Sequence, residues 1–439
     1  QLHSKALLYQ GKLYYTQTTE IVCNDLNNVN SQTQRFSITS QPYLTQCLQT
    51  DQQQQLLVGT QHGLYYWDIA KKQVVSHAFE TTSISSILKD KENNLWITSL
   101  NNGIYLSVNP SIRLLNNTSG LPFNYCSFID HFNDGSFAVG SNQFQVAIYR
   151  NQQMHHIKLP EQFGEGKVEK IRMDEKGDYY ITLGSVLMRV NKNNFSVKVF
   201  NIAARDILFD QKKKIYLVAG NSLREVESTD ALKQYNSVQD SIDRMSGVNV
   251  THIKASGLYK GPYSNNLYLY GLFGVKTYAN QHLHDVLDFD ETLTKNIYRV
   301  QETPDGLLWL ASNIYGVLVI YNHKIIAINN TKGLPSNFIN AIHADKQQHI
   351  WVASVAGLSK ISYSLLDNKF DYRIENYSQS DGLITKNVND VTTSGDDIYI
   401  ATEEGVCIFS EKDLKMSVSK PILNIESFYF NDQLAPLST

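Results

Sequence analysis

Long apolar runs, charge and proline are all scarce in this chain. No stretch of about 18 apolar residues occurs among its 439 positions, so nothing reads as a membrane-crossing helix. The first residues do not read as a basic-then-apolar leader either. Charged residues make up only 18% and balance to a net charge of -3. The densest basic patch, Lys212, Lys213 and Lys214, sits in a predicted turn, so no nucleic-acid partner is expected. Proline numbers 9, and enough β-formers are present to bury a core, which argues against disorder. The four cysteines, Cys23, Cys47, Cys126 and Cys407, form no C-x-x-C pair and read as buried thiols. Whether Cys23 and Cys47 bridge is not decided by sequence. There is no G-x-S-x-G, no H-E-x-x-H and no phosphate loop. His155 and His156 are adjacent, so on a strand they point to opposite faces and make a poor metal pair. No catalytic residue, metal or cofactor is assigned.

Aromatic residues, by contrast, are plentiful: 11% of the chain, with 26 tyrosines. They are not scattered. A short aromatic or apolar phrase recurs as LYYT at 13, LLVG at 56, LWIT at 95, FAVG at 137, YYIT at 179 and IYLV at 215. It continues as LYLY at 267, LWLA at 308, IWVA at 350 and IYIA at 398, at intervals of about 42 residues. Residues 84–90 alternate towards an acid, KENN turns, LWIT follows, and a second turn ends at Gly103 before two more short strands. Period-two alternation between Asn and Gly turns is the hairpin signal. Four antiparallel strands in about 40 residues make one propeller blade. The expected fold is all-β: a β-propeller of four-stranded antiparallel blades with about ten blade repeats. Ten units allow one seven-bladed ring plus part of another, or a single larger ring, and the abrupt start of the first unit favours the split arrangement. The widest interval, around 231–262, reads as a polar loop insertion with room for a short helix.

Two columns support the alignment. An acid precedes the aromatic strand at Asp51, Asp90, Asp174, Asp210, Glu302 and Asp345, where it is expected to bond the backbone of its own turn. A glycine follows at Gly63, Gly103, Gly274, Gly316, Gly357 and Gly405, supplying the positive φ of a tight hairpin. Trp96, Trp309 and Trp351 hold the repeated strand position and are expected in the core, whereas Trp67, in YYWD, is expected to be exposed.

A Gly-Leu-Pro phrase precedes certain inner strands: SGLPFNYCSFID from 119, KGLPSNFINAIHAD from 332, and a degenerate DGLITKNVNDV from 381. Joined to the downstream D-x-x-x-x-[LI]-W-[IV] phrase, it resembles the two-component regulator propeller repeat, most strongly over 84–140 and 295–410. That repeat occurs in the extracytoplasmic part of bacterial sensor kinases, including the hybrid systems of Bacteroidetes. The tail, SKPILNIESFYFND, resembles the first strand of the immunoglobulin-like triple-tyrosine domain that follows the propeller in this family. The expected division is therefore 1–418 propeller repeats and 419–439 the start of that domain.

The resemblance implies a periplasmic ligand sensor, not itself an enzyme, of a histidine kinase that acts as a homodimer. Its partners would be an oligosaccharide-type ligand and its own triple-tyrosine domain. Since propellers bind at loop faces and the axial funnel, candidate ligand contacts are Phe123, Asn124, Tyr125, Ser336, Asn337, Phe338, Lys386 and Asn387, with Thr385 beside them. Aromatic faces stack on sugars and amides pair with hydroxyls. The competing reading is that each Asn caps its own turn. A protein-interaction scaffold and, more remotely, a propeller glycosidase or lyase are the alternatives; the glycosidase would need two carboxylates at a fixed separation.

Overall fold

Each of the ten aromatic phrases forms the second strand of a sheet, from Lys12–Gln17 at one end of the series to Asp397–Thr402 at the other. In this computed structural model, residues 6–28, 31–39, 43–51, 55–91, 94–107, 112–158, 166–210, 214–226, 248–286, 296–366, 369–411, 428–430 and 433–435 are described. Two units are distinguished: unit 1, residues 1–110 and 414–439, and unit 2, residues 111–413.

Unit 2 contains seven four-stranded antiparallel sheets, all but the last taking their strands in chain order. The last combines Val388–Ser394, Asp397–Thr402 and Gly405–Ser410 with Arg113–Leu115, the first strand of the unit. Leu114 pairs with Cys407 and Leu115 with Val406, so the outermost strand of the last blade comes from the opposite end of the ring. Cys126 N–H donates to Thr402 O at 2.8 Å, and the Asn389 amide donates to Cys126 O at 2.8 Å, joining the first and last blades. The seven innermost strands surround one axis: Phe128–His131, Lys170–Met173, Ala204–Phe209, Gly257–Lys260, Ile297–Glu302, Ile339–Ala344 and Val388–Ser394.

The blades cohere by burying apolar faces on one another, which is how a repeat protein of this length builds a core. One such layer unites Trp309, Val317 and Val319 of one blade with Ile339, Ile342, Ile350 and Val352 of the next. Each fully buried Ile or Val contributes about 1.5–3 kcal/mol. The repeat acid secures the turn locally. Asp345 accepts the His349 N–H at 2.8 Å and the Trp351 indole N–H at 2.9 Å, and Asp90 does the same with Asn94 and Trp96 at 2.9 and 3.0 Å. Asp51 and Asp174 likewise accept backbone N–H groups of their own turns. Glu302 departs from the column: its carboxylate reaches the neighbouring blade's turn at Tyr263 and Ser264, at 2.9 and 3.0 Å.

Among the described residues unit 1 holds two four-stranded sheets and a third of three strands, Ile84–Lys89, Leu95–Ser99 and Ile104–Ser107. A short hairpin pairs Phe428–Phe430 with Gln433–Ala435. Most of the segment expected to open a triple-tyrosine domain, 419–427, lies outside the described residues, as do Lys212 and Lys213.

Three expectations need correction. Trp67 is not exposed but 1% accessible, because its strand packs on the preceding blade, with Phe36 at 5.1 Å between ring centres. Trp96 is 39% exposed, since its face of the third sheet carries no covering sheet among the described residues. The 231–262 interval is not all loop. Val248–His252 is the fourth strand of one blade and Gly257–Lys260 the first of the next, while 227–247 lies outside the described residues. All four cysteines are buried and free, so Cys23 and Cys47 are not bridged.

Candidate functional site

The innermost strands of unit 2 begin at one end of its axis, and several begin irregularly. The register slips by one residue between Ala204 and Asp206, Ile297 and Arg299, Ile339 and Ala341, and Val388 and Asp390. A β-bulge of this kind leaves one residue unpaired and re-aims its side chain. The four residues released are Arg205, Tyr298, Asn340 and Asn389, and all four line a cavity of about 590 Å³ at the mouth of the axis. Tyr125, Ser127, Lys167, Glu169, Lys170, Ser256 and Phe338 join them, so every blade of the unit contributes.

The mouth has three kinds of surface. Phe338 is exposed, and Tyr125 and Tyr298 are half-buried, giving aromatic faces at the rim. The amides are partly committed: Asn340 donates to Val388 O at 2.8 Å and to Asn387 Oδ1 at 3.2 Å, linking adjacent blades. The cations are Lys167, Lys170, Arg205 and Arg299, against one rim carboxylate, Glu169.

Below the mouth lies a smaller cavity of about 110 Å³, in series with it because Lys170 and Arg299 line both. Charge there is balanced. Arg172 grips buried Asp206 through two bonds of 3.2 and 3.1 Å, and Arg299 pairs with Asp390 at 3.3 Å. Asp206 also accepts the Leu258 N–H at 2.9 Å, and Asp390 the Ile129 N–H at 3.4 Å, each reaching into the next blade. Asp130 lines this cavity with its carboxyl pushed up to about 6. Burial is the chief cause; Arg172 opposes it and Asp390 adds to it. Burial also lowers the pKa of His343, against the opposing pull of Asp390 and Asp345.

The eight sequence candidates divide. Tyr125 and Phe338 line the mouth. Phe123 is buried in the cluster with Leu121, Ile129 and Val139. Asn124 and Asn337 accept backbone N–H groups seven residues upstream, from Asn117 at 3.0 Å and Asn330 at 2.8 Å, which is the capping role. Ser336 accepts the Phe338 N–H at 3.0 Å, so its hydroxyl is also engaged in the turn. Asn387 is not the counterpart of Asn124 and Asn337. It immediately precedes Val388 as Phe338 precedes Ile339, so it holds the aromatic position and bonds Asn389 and Glu403 at 3.2 and 2.9 Å. Exposed Lys386 holds the capping position, where it cannot accept a bond. Sequence reasoning missed the bulge residues. Two of them stand five places ahead of the repeat acid, Arg205 before Asp210 and Asn340 before Asp345, the place that Glu169, also at the mouth, holds before Asp174; Tyr298 and Asn389 carry no such signal.

A third cluster offers ligand atoms of Asp345, His349 and Glu411 within 4.8 Å of one another. These groups are already engaged: Asp345 by His349 and Trp351, and Glu411 by Lys360. The arrangement is a hydrogen-bonded blade corner.

Residues 333–356 match the family model described as the two component regulator propeller. This segment is similar to a two-component regulator propeller repeat. It runs from the Gly-Leu-Pro phrase through the innermost strand Ile339–Ala344 and the Trp351 strand, the same residues that carried the resemblance in sequence. No curated protein matches the chain. Among solved structures, it resembles the extracellular domain of BT3049 of B. thetaiotaomicron, described as a hybrid two-component system, with a TM-score of 0.58 and 16% identity over 99% of this chain and 66% of that one. The extracellular domain of BT4673 from the same organism gives 0.55 and 18%, over 98% of this chain and 60% of that one. The chain spans 59–66% of the length of these extracellular domains. Virginiamycin B lyase from Staphylococcus aureus gives 0.51 and 13% over 68% of this chain and 97% of the lyase. At such identities the likeness is one of propeller fold. No helix among the described residues is long and apolar enough to cross a membrane.

Proposed function

We propose that the chain is the extracytoplasmic, ligand-sensing part of a two-component signalling protein, and that the mouth of unit 2 holds a carbohydrate. The observation that carries this reading is the seven-blade mouth itself. It combines about 590 Å³ of space, aromatic faces from Tyr125, Tyr298 and Phe338, and polar groups on bulges aimed at the axis. Such a concave cleft, with polar groups converging from around the axis beside aromatic faces, suits a small polar ligand. The propeller repeat at 333–356 supports the signalling context, as do the extracellular domains that share the fold. In this reading the chain lies in the periplasm, is followed by a triple-tyrosine domain and works in a dimeric receptor. The ligand signals only if it binds two receptor arrangements with different affinity. Asp206 and Asp390 are each held by an arginine and by backbone N–H groups, which favours binding over carboxylate catalysis. The test is a thermal-shift screen of the chain against oligosaccharides of varied linkage. One class should give a saturable rise that Phe338→Ala weakens; a flat response across a broad panel would sink the reading.

A second reading, a protein-interaction scaffold, draws on the third sheet of unit 1. Leu88, Trp96 and Leu106 stand opposite one another in register and are all exposed. It predicts concentration-dependent self-association, or partner capture, that Leu88→Lys abolishes.

A further inference from the structure

The mouth of unit 2 is not electrically neutral, and its imbalance is built in. Lys170 is only 5% exposed, yet among the described residues it has no carboxylate partner and no side-chain hydrogen bond. Its one ring contact is with Phe128, whose centre lies 5.8 Å from the ammonium. Lysines set this deep are rare unless paired, and the ammonium of this one is not sealed off but reaches the open space of the axis. Lys170 lines the junction of the two axial cavities, so its charge faces the space a ligand would fill. Arg205, delivered by a bulge, spends one N–H on Ala255 O at 3.2 Å and has no carboxylate partner among the described residues; Lys167 is exposed at the rim. Arg299 and Arg172, by contrast, are neutralised by Asp390 and Asp206.

We propose that this mouth takes an oligosaccharide bearing carboxylate or sulfate groups, with Lys170 and Arg205 as the counter-charges of one acidic substituent. The inference rests on the carbohydrate reading above and narrows it. An acidic group over Lys170 supplies the missing partner, and the low-dielectric setting strengthens the pairing. The aromatic rim then stacks on the neighbouring sugar faces.

The experiment is calorimetric titration of the chain with four probes at low and high salt. These are oligogalacturonate, the same oligomer fully methyl-esterified, a sulfated disaccharide series, and citrate as an anion without a sugar. The acidic sugars should bind at least tenfold tighter than the esterified oligomer, and the binding should weaken with salt. Lys170→Met, which keeps the volume, and Arg205→Gln should each remove most of that advantage without changing the melting temperature by more than a few degrees. Should Lys170→Met disturb the fold, Lys167→Ala at the exposed rim gives the same reading with a smaller loss. Preference for carboxylate over sulfate, or the reverse, identifies the substituent. Equal or tighter binding of the esterified oligomer overturns the acidic-ligand proposal while leaving the carbohydrate reading standing. Citrate binding as well as oligogalacturonate keeps the acidic site and overturns the sugar. If no probe binds, the acidic-ligand proposal falls, and the carbohydrate reading falls with it only if the broad oligosaccharide panel is also flat.

Discussion

The same phrase, D-x-x-x-x-L/I-W, occurs in the third sheet of unit 1 and in the sixth sheet of unit 2. Its local chemistry is identical in the two places. Asp90 bonds the Trp96 indole at 3.0 Å, and Asp345 bonds the Trp351 indole at 2.9 Å. Their burial is not: Trp96 is 39% exposed and Trp351 is fully buried. The strand and its turn are local property, but burial is supplied by the next sheet. In unit 2 the seven sheets form a closed cycle, so every face has a neighbour, whereas the described third sheet of unit 1 has one face without one. Trp351→Ala should therefore cost about 3–5 kcal/mol, as expected for a large buried aromatic. Trp96→Ala should cost about 1 kcal/mol, chiefly the lost indole bond. Urea denaturation followed by tyrosine fluorescence measures both, and equal costs would break the comparison.

Glycine tells the same story at the hairpins. Gly405 and Gly103 both sit at positive φ, +136° and +80°. A Cβ on Gly405 would run into Leu115 O, the backbone of the strand that closes the ring; one on Gly103 would meet nothing within 4 Å. Gly405→Ala thus adds a backbone clash to the conformational penalty and should cost about 3 kcal/mol. Gly103→Ala pays only for its dihedral, about 1 kcal/mol. Limited proteolysis should find the variant at 405, but not the one at 103, opened near Arg113–Leu115.

A closed ring also creates an axis in which charge can be buried, and this gives unit 2 a pH dependence of its own. The Asp130 carboxyl is raised from its ordinary 3.8 to about 6, mainly by burial. Because the folded value lies above the ordinary one, the stability tied to the protonated form is complete below about pH 4. It is lost as pH rises through about 6. The loss amounts to about 3 kcal/mol by pH 7.5. Asp130→Asn should recover it there and give little at pH 4. Melting curves at the two values test the sign; an equal gain at both would show that the axis does not hold the carboxyl as described.

Most of this architecture was legible in sequence because period-two alternation, turn acids and hairpin glycines are local signals. The ten aromatic phrases fell on ten strands for that reason. The site was less legible. Asn124 and Asn337 looked like rim contacts but cap their turns, and Asn387 was aligned one place off because the degenerate phrase lacks the proline. The bulge residues that do face the axis, Arg205, Tyr298, Asn340 and Asn389, span three residue types with no common motif. Their meaning is geometric: a slipped register turns a variable position inward, and only the closed ring brings four such positions together with the rim residues of the other blades. In unit 1 the corresponding bulge residues are Gln46 and Ser85, which bond Ser83 and Thr98 at 3.2 and 2.8 Å. That unit offers neither cation at this position.

The smallest expected effect sharpens the comparison most. Leu88 and Leu106 flank Trp96 across the third sheet of unit 1, 60% and 46% exposed. His343 holds the position of Leu88 in the sixth sheet of unit 2, opposite Trp351, and there bonds Thr393 of the next blade at 3.0 Å. Replacing Leu88 and Leu106 by serine should change stability by less than about 0.5 kcal/mol, the range of surface substitutions away from special features. His343→Ala should cost more, about 1 kcal/mol, because it leaves Thr393 without that partner. A substantial cost at Leu88 and Leu106, matching His343, would mean that the row is covered in solution and that the face left open here has a neighbour after all. Denaturation midpoints measured at two protein concentrations separate the two cases, since a cover supplied by a second copy would make the cost grow with concentration.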